Sequence, residues 1–270
     1  MKSLHYHALV MLLMLALLVS GCGVDGLSSE EVYTKALEAI SNIDSYTFTM
    51  EYDQSISIPG VMDMQSQVSA TGQAIEEPPA MNMDMVVEAE GMVFYMSSYL
   101  VDDVMYLYMD EFGWVWMSVE EELGLAQTFQ DPADFMKLLK EVGMEKIEFS
   151  RDGNYYILDL FDESGTFMDA MMEEVMAQGG LDMFGGAEVQ ELFRDMEFSD
   201  IRYKLAVDTE TFLPAEVWIS YTAAINFMNE EMIMEQDVHM TMDNYGTIDE
   251  IVVPQEVIDA AVHIEQLNGF

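Results

Sequence analysis

The sequence predicts an α+β fold: one domain built on a single large antiparallel sheet, with helices packed on one face. Three observations carry that expectation. Period-two alternation begins with Tyr46, Phe48, Met50 and Tyr52 set against Thr47, Thr49, Glu51 and Asp53, and it recurs at short intervals as far as Asn244. Gly, Asp and Asn turns join the runs, which suits antiparallel neighbours, whereas parallel ones need long crossovers. Helical spacing is confined to a few segments, and no shift of composition marks a second domain.

Composition narrows the function classes. The chain has 270 residues, 9 Lys+Arg against 51 Asp+Glu, and a formal net charge of −42. It is also 51% hydrophobic, which separates it from disordered acidic tails, whose apolar content is low. Phosphate binding needs a basic stripe, so nucleic acid is excluded as a partner. Cys22 is the one cysteine, so no disulfide within a chain and no Cys-built metal cluster can form.

The N-terminus carries an address. Ala8 to Val19 is an unbroken apolar run, too short for the roughly 20 residues that span a bilayer but suited to the core of a signal peptide. Val19-Ser20-Gly21-Cys22 follows. Small residues before a lone cysteine resemble the lipobox of bacterial lipoproteins. The resemblance implies diacylglyceryl transfer to Cys22 and cleavage before it. The expected organisation is a signal peptide over 1–21, a lipidated cysteine and short tether over 22–27, and a folded domain over 28–270. Two or more acyl chains on one residue anchor stably, so the protein is expected on the extracytoplasmic face of the cell membrane.

The elements follow in order. Ser28-Ser29-Glu30-Glu31 fits a capping box, and Val32, Ala36, Ala39 and Ile40 continue at helical spacing over 29–41. Strands are expected from Ser45, over 61–75 after the Pro59-Gly60 turn, and at Met81 to Ala89, where Met81, Met83, Met85 and Val87 alternate with polar residues. Shorter ones are expected at 93–101, 104–109 and 114–118. Asp131-Pro132 opens a helix with the stripe Phe135, Leu138, Leu139 and Val142. Strands at 146–151 and 155–161 precede a helix over 166–177. Gly179-Gly180 and Gly185-Gly186 then flank Leu181 to Phe184, a mobile loop, and a short helix follows at 188–193. Three closing strands at 201–208, 215–224 and 232–244 lead to Val253-Pro254-Gln255-Glu256-Val257 and a short helix.

The lipobox, the capped helix, the strand Ser45-Tyr46-Thr47-Phe48-Thr49-Met50, the long meander and the closing Val-Pro-x-Glu-Val together resemble the bacterial lipoprotein-localisation-factor-like superfamily (LolA, LolB and LppX types) over roughly 28–261. That resemblance implies a strongly curved half-barrel with helices on its concave face, and a cavity between sheet and helices that takes up acyl chains. The arginine that the family's carriers place in the cavity has no match among Arg151, Arg194 and Arg202.

Catalytic motifs are absent. His239 and His263 are the histidines beyond the signal segment, and no nucleophile elbow, H-E-x-x-H or P-loop occurs. A non-catalytic protein with no cofactor, monomeric, is therefore expected. Its 27 methionines are unusual. M-x-M recurs at Met62/Met64, Met81/Met83/Met85, Met232/Met234 and Met240/Met242, the last beside His239. Thioether and imidazole donors suit Cu(I), which makes a copper-binding lipoprotein one alternative. A structural or interaction lipoprotein with no ligand is another. M-x-M within a strand places both side chains on one face, however, and methionine adapts to cavities of variable content. The leading expectation is a site for a lipid or acyl chain lined by Phe48, Met50, Met83, Met85, Met105 and Leu107. Phe135, Leu138 and Leu139 would cover it, and the loop bearing Leu181 and Phe184 would act as a lid.

The anchoring expectation has a direct check. Cys22→Ala should abolish labelling by radioactive palmitate and shift the protein from the membrane to the soluble fraction. Unchanged processing and membrane retention would remove the lipobox reading.

Overall fold

Alternation over 14 residues makes β1 (Ser45–Ile58) a long strand with one apolar and one polar side. The same pattern builds β2 (Met62–Ile75), β3 (Ala80–Ala89), β4 (Met92–Val101), β5 (Val104–Met109) and β6 (Gly113–Ser118). A second series comprises β7 (Ile147–Asp152), β8 (Tyr155–Asp162), β9 (Glu197–Asp208), β10 (Pro214–Phe227) and β11 (Glu230–Asp243). The short β12 (Val262–His263) ends the chain of elements, and the helices are α1 (Ser29–Ile40) and α2 (Gln255–Ala260). These come from a computed structural model that describes residues 24–110, 112–118, 146–165, 196–227, 230–264 and 266. The signal segment, Cys22, the three helices expected at 131–142, 166–177 and 188–193 and the loop at 181–184 lie outside the described residues.

The twelve strands form one sheet in the order β12-β6-β5-β4-β3-β2-β1-β11-β10-β9-β8-β7. It is curved and unclosed. β1 to β6 form one antiparallel meander and β7 to β11 a second. The β1–β11 ladder joins them, with Thr47 opposite Asp243 at one end and Ser57 opposite Ile233 at the other. The sheet is mixed, not purely antiparallel, because β12 pairs with β6 in parallel. The reason is local: the chain returns through α2 and reaches the free side of β6 already running in β6's direction.

Turn chemistry sets the hairpin registers. Glu90 and Gly91 join β3 to β4 with φ of 54° and 76°, and Asp102 and Asp103 join β4 to β5 with 52° and 60°. Two positive φ values in succession are what a tight hairpin matched to strand twist requires. Asp tolerates that region better than bulkier residues do.

α1 starts where the capping box predicts. Ser28 Oγ accepts from the Glu31 backbone N–H at 3.2 Å, and Glu31 Oε2 accepts from the Ser28 N–H at 2.8 Å. That backbone bond, helped by the Ser28 hydroxyl, holds the Glu31 carboxyl below its usual range. Val32, Tyr33, Ala36 and Ile40 are buried along one stripe. They share a core with Tyr156, Leu158, Leu160, Tyr203, Leu205 and Val207 of β8 and β9, and with Val217, Met242 and Tyr46. Just upstream, Val24 and Leu27 pack against that core, and Asp25 bonds to Arg151 at the β7–β8 turn. Of the expected helices, only α1 can be placed on a face, and it lies on the apolar one.

Gly72 marks the tightest contact in the other half of the sheet. A Cβ there would meet the backbone oxygen of Asn82 and Cζ of Phe48, each at 2.5 Å. A backbone oxygen within a ladder cannot step aside. Gly72→Ala should therefore lower stability by about 1–3 kcal/mol, read as a shifted urea midpoint with an unchanged slope.

The core also sets a pH dependence. Burial pushes the hydroxyls of Tyr33, Tyr203 and Tyr245 far above the usual tyrosine pKa. The folded chain then keeps protons that the unfolded chain releases above about pH 10. Stability should be intact below that pH and fall as pH rises beyond it. Tyr33 Oη is buried with no hydrogen-bond partner among the described residues. Tyr33→Phe should leave neutral-pH stability unharmed and flatten the alkaline decline in a melting series from pH 9 to 12.

Candidate functional site

Directly opposed residues in a ladder share a face, so register alone assigns the sheet's sides. Phe48 stands opposite Gly72, Gly72 opposite Met83, Met83 opposite Ser98, and Ser98 opposite Leu107. A second row runs Met50, Ala70, Met85, Met96. A third runs Tyr46, Ala74, Met81, Leu100, Met105, Met117. Phe48, Met50, Met83, Met85, Met105 and Leu107 are thus brought to one apolar face. Phe135, Leu138, Leu139, Leu181 and Phe184 lie outside the described residues.

That face has two unlike halves. Over β7 to β10 it is closed: α1 seats on it, and Leu158, Leu160, Ile201, Leu205 and Val207 are almost wholly buried. Over β1 to β6 the buried residues on it are few, namely Tyr46, Ala70, Ser98, Leu100 and Val115. Met50, Met83, Met85, Met105 and Leu107 are only half-buried. The lining set read from the sequence lacked Met81, Met96 and Met117, although period-two spacing from Met83 reaches Met81 in sequence; only register reaches Met96 and Met117.

Polar groups cross the middle of this face. Ser66, Gln54, Gln236 and Tyr221 form one row over four strands. Tyr221 Oη donates to Gln236 Oε1, while Nε2 of Gln54 and of Gln236 approach Met234 Sδ at 3.1 and 3.3 Å. Burial pushes the Tyr221 pKa up to about 12 and raises that of Tyr52. The row therefore offers neutral donors and acceptors in a poorly hydrated setting. No Lys, Arg or His occurs between Asn42 and Ser118, so the methionine half holds no cation of its own.

The opposite face is wet and acidic near β1 and β11, where Thr49, Glu51, Asp53, Glu235 and Asp237 line up. His239 belongs here. Its ring stacks on Trp218 at 4.8 Å, its Nε2 lies 3.2 Å from Glu216, and Lys204 sits over Trp218. Met240 and Met242 pair with Met50 and Phe48 on the apolar face. The structure thus separates His239 from the M-x-M pair, and the Met–His copper constellation is not assembled. Further across, Tyr99, Tyr106 and Trp116 align in one row, with His263 edge-on to Trp116 at 4.4 Å. This aromatic row was also missed, although Tyr106/Tyr108 and Trp114/Trp116 alternate plainly in the sequence. Among the described residues no group of three or more His, Cys, Asp or Glu could hold a metal ion, and no helix is long and apolar enough to cross a membrane.

Solved structures similar to this chain include a LolA superfamily protein from Nitrosomonas europaea, 12% identical, covering 86% of this chain and 97% of its own, with a TM-score of 0.26. A DUF1329 family protein from Desulfovibrio piger is 10% identical, covers 83% and 94%, and has a TM-score of 0.26. A beta-barrel-like protein of domain of unknown function DUF1849 from Brucella abortus is 6% identical, covers 75% and 100%, and has a TM-score of 0.26. No curated protein matches the chain. The pattern that defines a family of unknown function, DUF6612, matches residues 28–262, almost the whole of the folded part, and the chain belongs to that family.

Proposed function

We propose that this protein is a non-catalytic lipoprotein, anchored through Cys22 on the extracytoplasmic face of the membrane, that binds a hydrophobic ligand against the methionine half of its sheet. The observation that carries the reading is the contrast between the two halves of one apolar face. α1 closes the β7–β10 half with a dense core, whereas Met50, Met83, Met85, Met105 and Leu107 remain half-buried on the other. Apolar surface of that extent is costly to leave wet. Unbranched thioether side chains adapt to chains of differing shape.

The polar row refines the ligand class. Gln54, Gln236 and Tyr221 can hydrogen-bond an ester or hydroxyl head group. A free carboxylate or phosphate would meet no cation between Asn42 and Ser118, and burying it unpaired is expensive. The preferred ligand is therefore an uncharged acyl ester, such as an acylglycerol or the acyl part of a lipoprotein.

Photolabelling tests this. A photoreactive acylglycerol added to the full-length protein should mark peptides containing Met83, Met85, Met105 and Leu107. The corresponding free fatty acid should label less. Met85→Lys should reduce labelling about tenfold, the scale of one strongly disfavoured contact. Labelling limited to the face of Tyr99 and Trp116, or none, would remove the reading.

A further inference from the structure

The lower end of β4 is built differently from the rest of the sheet. Met92 to Met96 have register partners in β3, from Ala89 to Met85. The β4–β5 register begins only at Ser97, opposite Tyr108. β5 then turns at Asp110 toward Gly113 and β6. Among the described residues, therefore, Met92–Met96 has a ladder on one side and an unpaired row of backbone N–H and C=O groups on the other.

Its side chains are exposed on both faces. Met92 is 56% and Tyr95 60% exposed, and Val93 and Phe94 are exposed between them. The neighbouring hairpin ends add Val61, Met62 and Phe112, all exposed. These tips lie at the same end of the sheet, because β1–β2, β3–β4 and β5–β6 turn there. Natural sheets blunt free edges with lysine, proline or bulges. This one has none of them over Gly91–Ser97.

Charge selects the occupant. Glu88 lies opposite Val93, Glu90 sits in the turn before Met92, and Asp63 and Asp110 stand at the neighbouring hairpin ends; no cation stands between Asn42 and Ser118 to offset them. A second copy would bring the same acidic half and a further formal −42. Anionic lipid and nucleic acid would be repelled likewise. An added strand satisfies the backbone row, alternating apolar side chains meet Val93 and Tyr95 or Met92 and Phe94, and flanking cations meet the carboxylates.

We propose that the edge Met92–Met96 is a docking site for an extended segment of another protein, apolar at alternate positions and flanked by Lys or Arg. The unpaired backbone edge is distinct from the ligand site proposed above, although Met92, Phe94 and Met96 stand on the same side of the sheet as Met85. Loss of acyl labelling would leave it standing, and loss of docking would leave the ligand reading standing.

Hydrogen exchange on the full-length protein tests the proposal. A short synthetic peptide alternating Val and Thr between pairs of Lys should slow exchange at Met92–Met96 about tenfold, the local protection expected of a paired ladder. Raised salt should weaken the effect, and the same peptide flanked by Glu should give little protection. Val93→Lys and Tyr95→Lys, both at exposed positions, should abolish it, whereas Tyr155→Lys at the opposite end of the sheet should not. Three results would each overturn the proposal: no protection of these amides; equal protection by the Glu-flanked peptide; or protection produced by phosphatidylglycerol vesicles or by raised protein concentration in the peptide's absence.

Discussion

The ladder between β1 and β11 is the interaction on which the rest of the sheet depends. Each meander is local, held by hairpins whose turns are a few residues long. The two become one sheet only because Thr47 to Ser57 lie opposite Asp243 to Ile233, across a sequence separation of 196 residues at the Thr47–Asp243 contact. Ser45 reinforces the join: its carbonyl accepts from the Gly246 N–H at 2.7 Å, and its hydroxyl from the Ile248 N–H at 3.1 Å. Both halves of the apolar face meet along this seam, where Met50 faces Met240 and Phe48 faces Met242. Contacts so distant in sequence must wait for most of the chain, so such a sheet is slow to form.

Much of the fold was legible in the sequence because period two is a local signal. Tyr46-Thr47-Phe48-Thr49 reads as a strand with one wet side before any partner is known. Ser28 and Glu31 likewise announce α1 through contacts three residues apart. What escaped was what depends on pairing. β12 joins β6 in parallel over two residues, too short to leave any periodicity. β1 continues to Ile58 although Gln54 and Ser55 blur its alternation, because β2 and β11 supply ladders on both sides. The six candidate lining residues share a face because alternation fixes faces within a strand. That Phe48 and Met83 meet across Gly72 needed the register.

Charge is segregated with the same seam as its boundary. The described cations Lys35, Lys146, Arg151, Arg202 and Lys204 sit on α1, just before β7, and on β7 to β9, and carboxylates answer Lys146, Arg151 and Arg202. Arg202 makes a two-point contact with Asp159 at 2.9 and 3.2 Å, and Lys35 rests on the Phe212 ring. The half that is densely packed is thus also the half in which cations offset part of the acidity. The methionine half is loose and uncompensated at once. A protein of such acidity gains solubility from its surface, but solubility alone would not gather the described cations on one side of β1.

The bond between Asp25 and Arg151 has a geometric consequence. It fastens the entering chain to the β7–β8 turn, at the end of the sheet where β1 begins. β1 then runs 14 residues to the hairpin at Pro59-Gly60, about 45 Å at 3.3 Å per residue. With the lipid on Cys22 as proposed, three residues from Asp25, the molecule has a foot and a reach. The end bearing the β7–β8 turn stands over the lipid, and the bare hairpin tips are carried outward by a strand's length, beyond the range at which headgroup charge is felt through physiological salt.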